Sequence, residues 1–316
     1  MAGAGVGRAR AVGLVAGVAA DRLLADPHRG HPVAGFGIAV SALERRVRRD
    51  SVGAGAAFTA VCVGAPLLLG LVAERVAARR PAVLAGLTAL GTWAVLGGES
   101  LAREADAMAD LLRAGDVPAA RRRLSHLCAR DATGAGPAEL VRATVESVAE
   151  NTGDAVVGPL WWGALAGLPG LLGYRAVNTL DAMVGYRDER YLRFGRVAAR
   201  ADDLANLMPA RVTGLLTVAA APVVGGGPIA TARVLCADRR AHPSPNAGWC
   251  EAAAAGALGV ALGGTNSYGG QEERRPRLGG AGRAPELADI PRAVRLSRAV
   301  TAVAAVGAVM LAWRRP

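Results

Sequence analysis

Between Val52 and Ala73 the chain carries no charged side chain. As a helix rising about 1.5 Å per residue, that run is long enough to cross a hydrocarbon core of about 30 Å. Residues 82–98 and 155–173 are also uncharged, and 11–24, 212–232 and 299–313 are weaker apolar stretches. A mean hydropathy of +0.28 with 20% charged residues is too apolar for an ordinary soluble enzyme. Aromatic residues, at 4%, are too scarce for the girdles of a β-barrel, and the apolar content excludes disorder. The expected fold is all-α: a polytopic membrane helical bundle with cytoplasmic helical loops, forming one integral membrane domain over residues 1–316.

Small residues dominate the weaker stretches, which suits close helix–helix approach. Asp21 and Arg22 interrupt the first. Arg8, Arg10 and the small residues Val18-Ala19-Ala20 give it the look of a signal peptide, and it is expected to be a retained helix. Pro159, Pro169 and several glycines break 155–173, which is expected to be re-entrant or buried in the bundle, bending between Gly163 and Gly170, with both ends cytoplasmic. Residues 99–130 read as a soluble helical hairpin turning at Gly115-Asp116, with Asp116 as N-cap and Pro118 in the next first turn. Residues 265–285, rich in Gly, Arg and Pro, read as an irregular loop.

All 37 Lys+Arg residues are Arg. Without lysine the chain cannot form a pyridoxal-phosphate Schiff base, carry a P-loop lysine or adenylate itself on lysine. The net charge of +11 sits mostly beside apolar segments, where anionic lipid headgroups account for it, so no nucleic acid partner is expected. Cys62, Cys128, Cys236 and Cys250 show no paired spacing and read as reduced structural residues.

The chemistry-bearing residues gather from residue 146 onward. The chain's five asparagines, Asn151, Asn178, Asn206, Asn246 and Asn266, all lie there in polar patches beside apolar segments. Glu146, Glu150 and Asp154 follow at i, i+4 and i+8, a ladder of like charges that a cation would relieve. A solvated acidic face eased by Arg142 would show the same spacing. Arg175, Asn178 and Asp181 stand one turn apart, with Arg187, Asp202, Asp203 and Asn206 following. That strip suits phosphate on Arg and metal on Asp, and a buried salt-bridge network would read identically. In His242-Pro243-Ser244-Pro245-Asn246, two prolines stiffen a turn that fixes His242, a candidate base, and Asn246. Asp26-Pro27-His28 and His31-Pro32-Val33 repeat this rigid style.

These blocks together resemble the adenosylcobinamide-phosphate synthase family of cobalamin biosynthesis, CobD/CbiB. The matching pieces are ADPHRGHPV at 25–33, SVAENTGDAVVGPL at 147–160, YRAVNTLDAMVGYRDERY at 174–191, ARADDLANLMPAR at 199–211, HPSPNAGWCEAAAAGALGVALGG at 242–264 and RPRLG at 275–279. The chain departs from the family pattern at Ala155, Gly158 and the stretch Tyr268-Gly269-Gly270-Gln271. The resemblance implies an ATP-dependent, amide-forming ligase of the cytoplasmic (inner) membrane. It would join adenosylcobyric acid to (R)-1-amino-2-propanol or its O-phosphate, giving adenosylcobinamide or its phosphate. ATP and Mg²⁺ are the implied cofactors, with no pyridoxal phosphate. The implied partners are the corrinoid, the aminopropanol, the bilayer and other corrinoid-pathway membrane enzymes. On this reading Glu146, Glu150, Asn151, Asp154, His242 and Asn246 are catalytic. Arg175, Asn178, Arg187, Asp202, Asp203, Asn206 and Ser244 bind substrate, and Glu150, Asp154 and Asp181 hold metal. A transporter for a polar or anionic substrate would use broken helices with similar polar residues, but the clusters lie beside rather than inside the apolar segments. A non-catalytic scaffold leaves the rigid polar turns unexplained.

Overall fold

The computed structural model describes residues 2–27, 30–186, 188–268 and 271–315. It is a helical bundle. Five helical stretches are long and apolar enough to cross a membrane: Val52–Ala77, Pro81–Arg113, Pro137–Val184, Leu207–Val224 and Asp289–Arg314. In the first of these only 22% of the most apolar window is buried, so its greasy face points outward, as lipid contact requires. The chain divides into two compact units, residues 1–97 with 154–206 and 304–316, and residues 98–153 with 207–303.

In the first unit α1 (Ala2–Leu24) lies along α4 (Pro81–Val95). Gly13 and Gly17, one turn apart, are the contact: a Cβ at either would strike Thr88 or Thr92. The 11–24 stretch thus belongs to α1, which is not among the five long apolar stretches. His31 caps α2 (Pro32–Val47) through Nδ1, which accepts the Val33 N–H at 3.2 Å. Ser51 caps α3 (Val52–Ala77). Phe58, Cys62, Leu180, Val184 and Phe194 form one core of the unit.

α8 (Gly158–Val184) folds back on itself. At Gly167 the backbone takes φ 65° and ψ −144°, outside any helical region. The arms on either side pack closely, since a Cβ at Gly163 would meet Leu171 and one at Gly170 would meet Trp162 and Ala166. The bend frees a backbone donor, and Glu74 takes it: the Leu168 N–H donates to Glu74 Oε2 at 2.8 Å. Arg10 pairs with the same carboxylate. As a result Tyr174 returns to Asp154, twenty residues earlier along the chain.

The second unit holds α5 (Gly98–Arg113), α6 (Val117–Leu124) and α7 (Pro137–Thr152). The turn between α5 and α6 contains Gly115 at φ 74°, and Asp116 caps α6 by accepting the Ala119 N–H at 3.0 Å. A π-turn, Gly153–Val157, follows α7 and breaks the α-period at the last rung of the acidic ladder. α9 (Arg196–Ala205) belongs to the first unit, and α10 (Leu207–Ala220) to the second. Residues 212–232 are not one helix: a 3₁₀ turn and Gly225 in the left-handed region separate α10 from α11 (Pro228–Asp238). α12 (Ala247–Leu258) and α13 (Asp289–Arg314) complete the helices.

The irregular loop expected at 265–285 is in part a β-hairpin. β1 (Leu262–Tyr268) pairs antiparallel with β2 (Gln271–Leu278), from Leu262↔Leu278 to Tyr268↔Gln271, with a bulge between Leu262 and Gly264. The composition hid it because pairing here rests on the backbone ladder. Only Leu262 and Leu278 at its base are fully buried among the side chains described, so no apolar alternation marks the strands.

Candidate functional site

Each unit carries one polar cluster built from the residues that the sequence singled out. In the first unit the cluster hangs on the α8 fold-back. Tyr174 directs its hydroxyl at the Asp154 carbonyl (2.9 Å) and at Asn206 Oδ1 (2.7 Å). Gly158 makes this possible, because a Cβ there would occupy the phenol's place. Asn206, at the end of α9, donates through Nδ2 to Asp202 Oδ2 at 3.0 Å. The Asn178 amide then spans two carboxylates, 3.3 Å from Asp202 Oδ1 and 3.5 Å from Asp154 Oδ2. Burial pushes the Asp202 carboxyl above its ordinary range, with Asp203 adding repulsion, while the two Asn bonds pull it back. Asp154, Asn178, Asp202 and Asn206 are thus brought together, and Tyr174 joins them unforeseen.

Other candidates in this unit lie around that network. Asp203 pairs with Arg200 at 3.8 Å near the surface. Asp181 sits at the end of α8 against Gly185. Arg175 lines an apolar cavity, described below. Arg187 and His28 lie outside the described residues. Among the described residues no three His, Cys, Asp or Glu side chains gather as a metal centre.

The second unit's cluster centres on His242 and Glu251, with side chains 5% and 3% exposed. His242 Nδ1 accepts the Ser244 N–H at 3.0 Å. That bond assigns the ring proton to Nε2, which points at Glu251 Oε1, 3.5 Å away. Arg275 Nη1 lies 3.4 Å from the same nitrogen. Burial holds the Glu251 carboxyl well above the ordinary 4.5. The charges of Glu146 and Glu150 add to this, and Arg275 and Arg130 partly offset it.

Ser244 is a cap: its Oγ accepts the N–H groups of Asn246 and Ala247, both at 3.2 Å, opening α12. Asn246 Oδ1 accepts from Arg211 Nη1 at 3.1 Å. Arg211 and Arg239 both stack on the Trp249 ring, 5.2 and 5.0 Å from its centre. Asn151 turns back on its own helix, donating to the Ser147 carbonyl at 2.9 Å. Glu146 is fully engaged by its surroundings. Arg130 Nη2 donates to it at 2.6 Å, Arg142 Nη1 at 3.4 Å and the Gly263 N–H at 2.7 Å. Arg142 also reaches the carbonyls of Gly263 and Thr265, so the pair clamps the base of the β-hairpin.

Sequence reasoning missed Glu251, although a signal was present. It is the one charged residue in α12, surrounded by alanines. A lone carboxylate in an apolar helix is costly unless it is partnered, and here its partner is the rigid-turn histidine.

Comparison with known proteins places these blocks in a family. The profile for CobD/Cbib protein matches residues 14–297. A curated "Cobalamin biosynthesis protein CobD" of Mycobacterium tuberculosis H37Rv is 54% identical over 306 residues, 97% of either chain. Proteins of the same name from Geobacter metallireducens and Rhodobacter capsulatus are 46% identical over 82% of this chain and 39% identical over 90% of it. No solved structure matches. With its sequence blocks matched in order over nearly the whole length, the chain belongs to the CobD/CbiB family.

Proposed function

We propose that this protein acts in cobalamin biosynthesis as a multi-pass membrane ligase. It joins adenosylcobyric acid to (R)-1-amino-2-propanol or its O-phosphate through an amide, at the expense of ATP. The observation that supports this most is the Glu251–His242 couple. Amide formation from an activated carboxylate requires loss of a proton from the incoming amine, and the best acceptor has a pKa near the working pH. Glu251, its carboxyl raised by burial and lying 3.5 Å from His242 Nε2, is the group assigned this role. In the proposed reaction the corrinoid carboxylate attacks ATP, forming a mixed anhydride with phosphate as ADP leaves, or with AMP as pyrophosphate leaves. The amine attacks its carbonyl carbon, the phosphate or AMP departs, and the proton passes to the Glu251–His242 couple. Mg²⁺ enters as the ATP complex, a co-substrate. In the first unit, Asp154, Asn178, Asp202 and Asn206 form an acceptor-rich cluster whose chemistry suits an ammonium or hydroxyl group. The α8 fold-back, which carries Tyr174 back to Asp154, supports a re-entrant 155–173 with both ends on the cytoplasmic side, where ATP is available.

The test is turnover by the full chain purified in mild detergent, with adenosylcobyric acid, Mg²⁺, ATP and either amine, product being read by mass. Product that forms only with ATP is expected. No product with either amine, alongside corrinoid or amine uptake into proteoliposomes, would instead make the broken α8 that of a transporter.

A further inference from the structure

A cavity of about 470 Å³ opens in the first unit between α2, α3, α4 and α8. Its walls are apolar, with Val33, Phe36, Val61, Leu69 and Val95 among them, and Arg175 is the only charged residue of the lining among the described residues. Val61 and Leu69 are 59% and 65% exposed on α3, so the mouth opens on the outward face of a helix long and apolar enough to span a membrane. A volume of this size lies in the range of ligand sites, and an apolar wall rejects water. The Nε of Arg175 is buried and makes no hydrogen bond among the described residues. Asp26 and Asp154 lie within electrostatic reach of that guanidinium, and Asp26 Oδ1 is 3.2 Å from His31 Nε2. The site therefore offers an apolar slot, one guanidinium and carboxylates beside it.

A plain anion would meet the carboxylates unfavourably. A ligand with a tail, a phosphate and an ammonium meets all three features. We propose that this cavity binds one membrane phospholipid with an aminoethyl phosphate headgroup: an acyl chain fills the slot, the phosphate docks on Arg175 and the ammonium faces Asp26. This inference rests on the membrane-spanning helices and stands apart from the ligase assignment.

The experiment uses the full chain, stripped of lipid in detergent. Its thermal unfolding is followed against phosphatidylethanolamine, phosphatidylglycerol and phosphatidylcholine of the same chains, and against chainless O-phosphoethanolamine. Phosphatidylethanolamine is expected to raise the Tm with at least tenfold higher apparent affinity than the other two lipids, and O-phosphoethanolamine to leave it unmoved. Arg175→Gln should cost at least tenfold in that affinity. Ala39→Phe should block binding with Arg175 intact; Ala39 is an exposed residue of the lining, so this variant decides the matter if Arg175→Gln fails to fold. Equal response to all three lipids, or an unchanged response in Ala39→Phe, overturns the proposal. So does an equal response to O-phosphoethanolamine, which would make this a site for a free amino-alcohol phosphate.

Discussion

Glu146 and Glu251 sit in the same polar cluster, but the proposed function gives them different work, and one substitution at each separates the roles. Glu146 and Arg130 are a buried ion pair, 6% and 5% exposed. Removing one partner of such a pair leaves the other charge buried and typically costs about 3–5 kcal/mol. In Glu146→Gln the amide oxygen can still accept the Gly263 N–H, so the loss should fall near the lower figure. Large domains shift by about 2–4 °C per kcal/mol, so a Tm decrease of about 6–12 °C is expected in detergent. Replacing both partners, as Arg130→Met with Glu146→Leu, should recover much of that loss, because no charge is left stranded. The double-mutant cycle over the two sites should then show a coupling above about 1 kcal/mol. A shift under about 2 °C in Glu146→Gln, corresponding to less than about 1 kcal/mol, would refute the reasoning and return Glu146 to the solvated ladder that its spacing alone suggests.

Glu251→Gln, in contrast, should abolish amide formation while the Tm holds, which turnover and unfolding on one preparation will show. The pH profile of the native protein carries the same logic: a base held above the ordinary 4.5 is protonated and idle in acid, so turnover should climb with pH along a limb well above 4.5. A limb at or below 4.5 counts against Glu251. Gly167→Ala places a Cβ at φ 65° and against Glu74 and Arg10, so a loss of about 1–3 kcal/mol is expected from the backbone alone; an unchanged unfolding curve would mean that the bend is not held as described. Tyr174→Phe removes one buried hydroxyl and leaves Asn206 Oδ1 without that donor, a loss of about 1–3 kcal/mol measurable by the same unfolding assay.

Features with a strong local signature were readable from the sequence. The uncharged run at 52–73 became α3, the Gly115-Asp116 turn fell between α5 and α6, and Pro169 with its glycines marked a helix that breaks at Gly167. The asparagine clusters pointed to polar networks, and Asn178 and Asn206 are the connectors of one. What escaped depends on partners distant in sequence. Nothing within one turn of Glu146 announces Arg130 or the Gly263 N–H, and those contacts turn a rung of an acidic ladder into a clamp. The π-turn at 153–157 is similar: i+4 spacing assumes an unbroken α-helix, and that period changes in the turn where Asp154 stands.

The absence of lysine takes on structural meaning where arginine and carboxylate meet inside the protein. Arg10 and Glu74 meet at the α8 bend, and Glu74 accepts the Leu168 N–H that the bend releases. Arg142 and Glu146 meet at the β1 bulge, binding the Gly263 N–H and carbonyl together. Asp289, fully buried, accepts from Arg283, Arg292 and the Glu286 N–H. Arg292 goes on to the carbonyls of Val224 and Leu258, at the ends of a 3₁₀ turn and of α12. In each case the pair stands where regular structure stops and backbone groups lose their partners. In water such groups would be solvated, but a buried N–H or C=O left unpaired costs about 1–3 kcal/mol. A guanidinium has five donors in a planar fork, so it can hold a carboxylate and a carbonyl at once, whereas an ammonium gives a compact point charge. The buried ion pairs therefore serve chiefly to let the backbone bend inside the bundle, and the bends in turn bring Asp154 to Tyr174 and hold the hairpin base against α7.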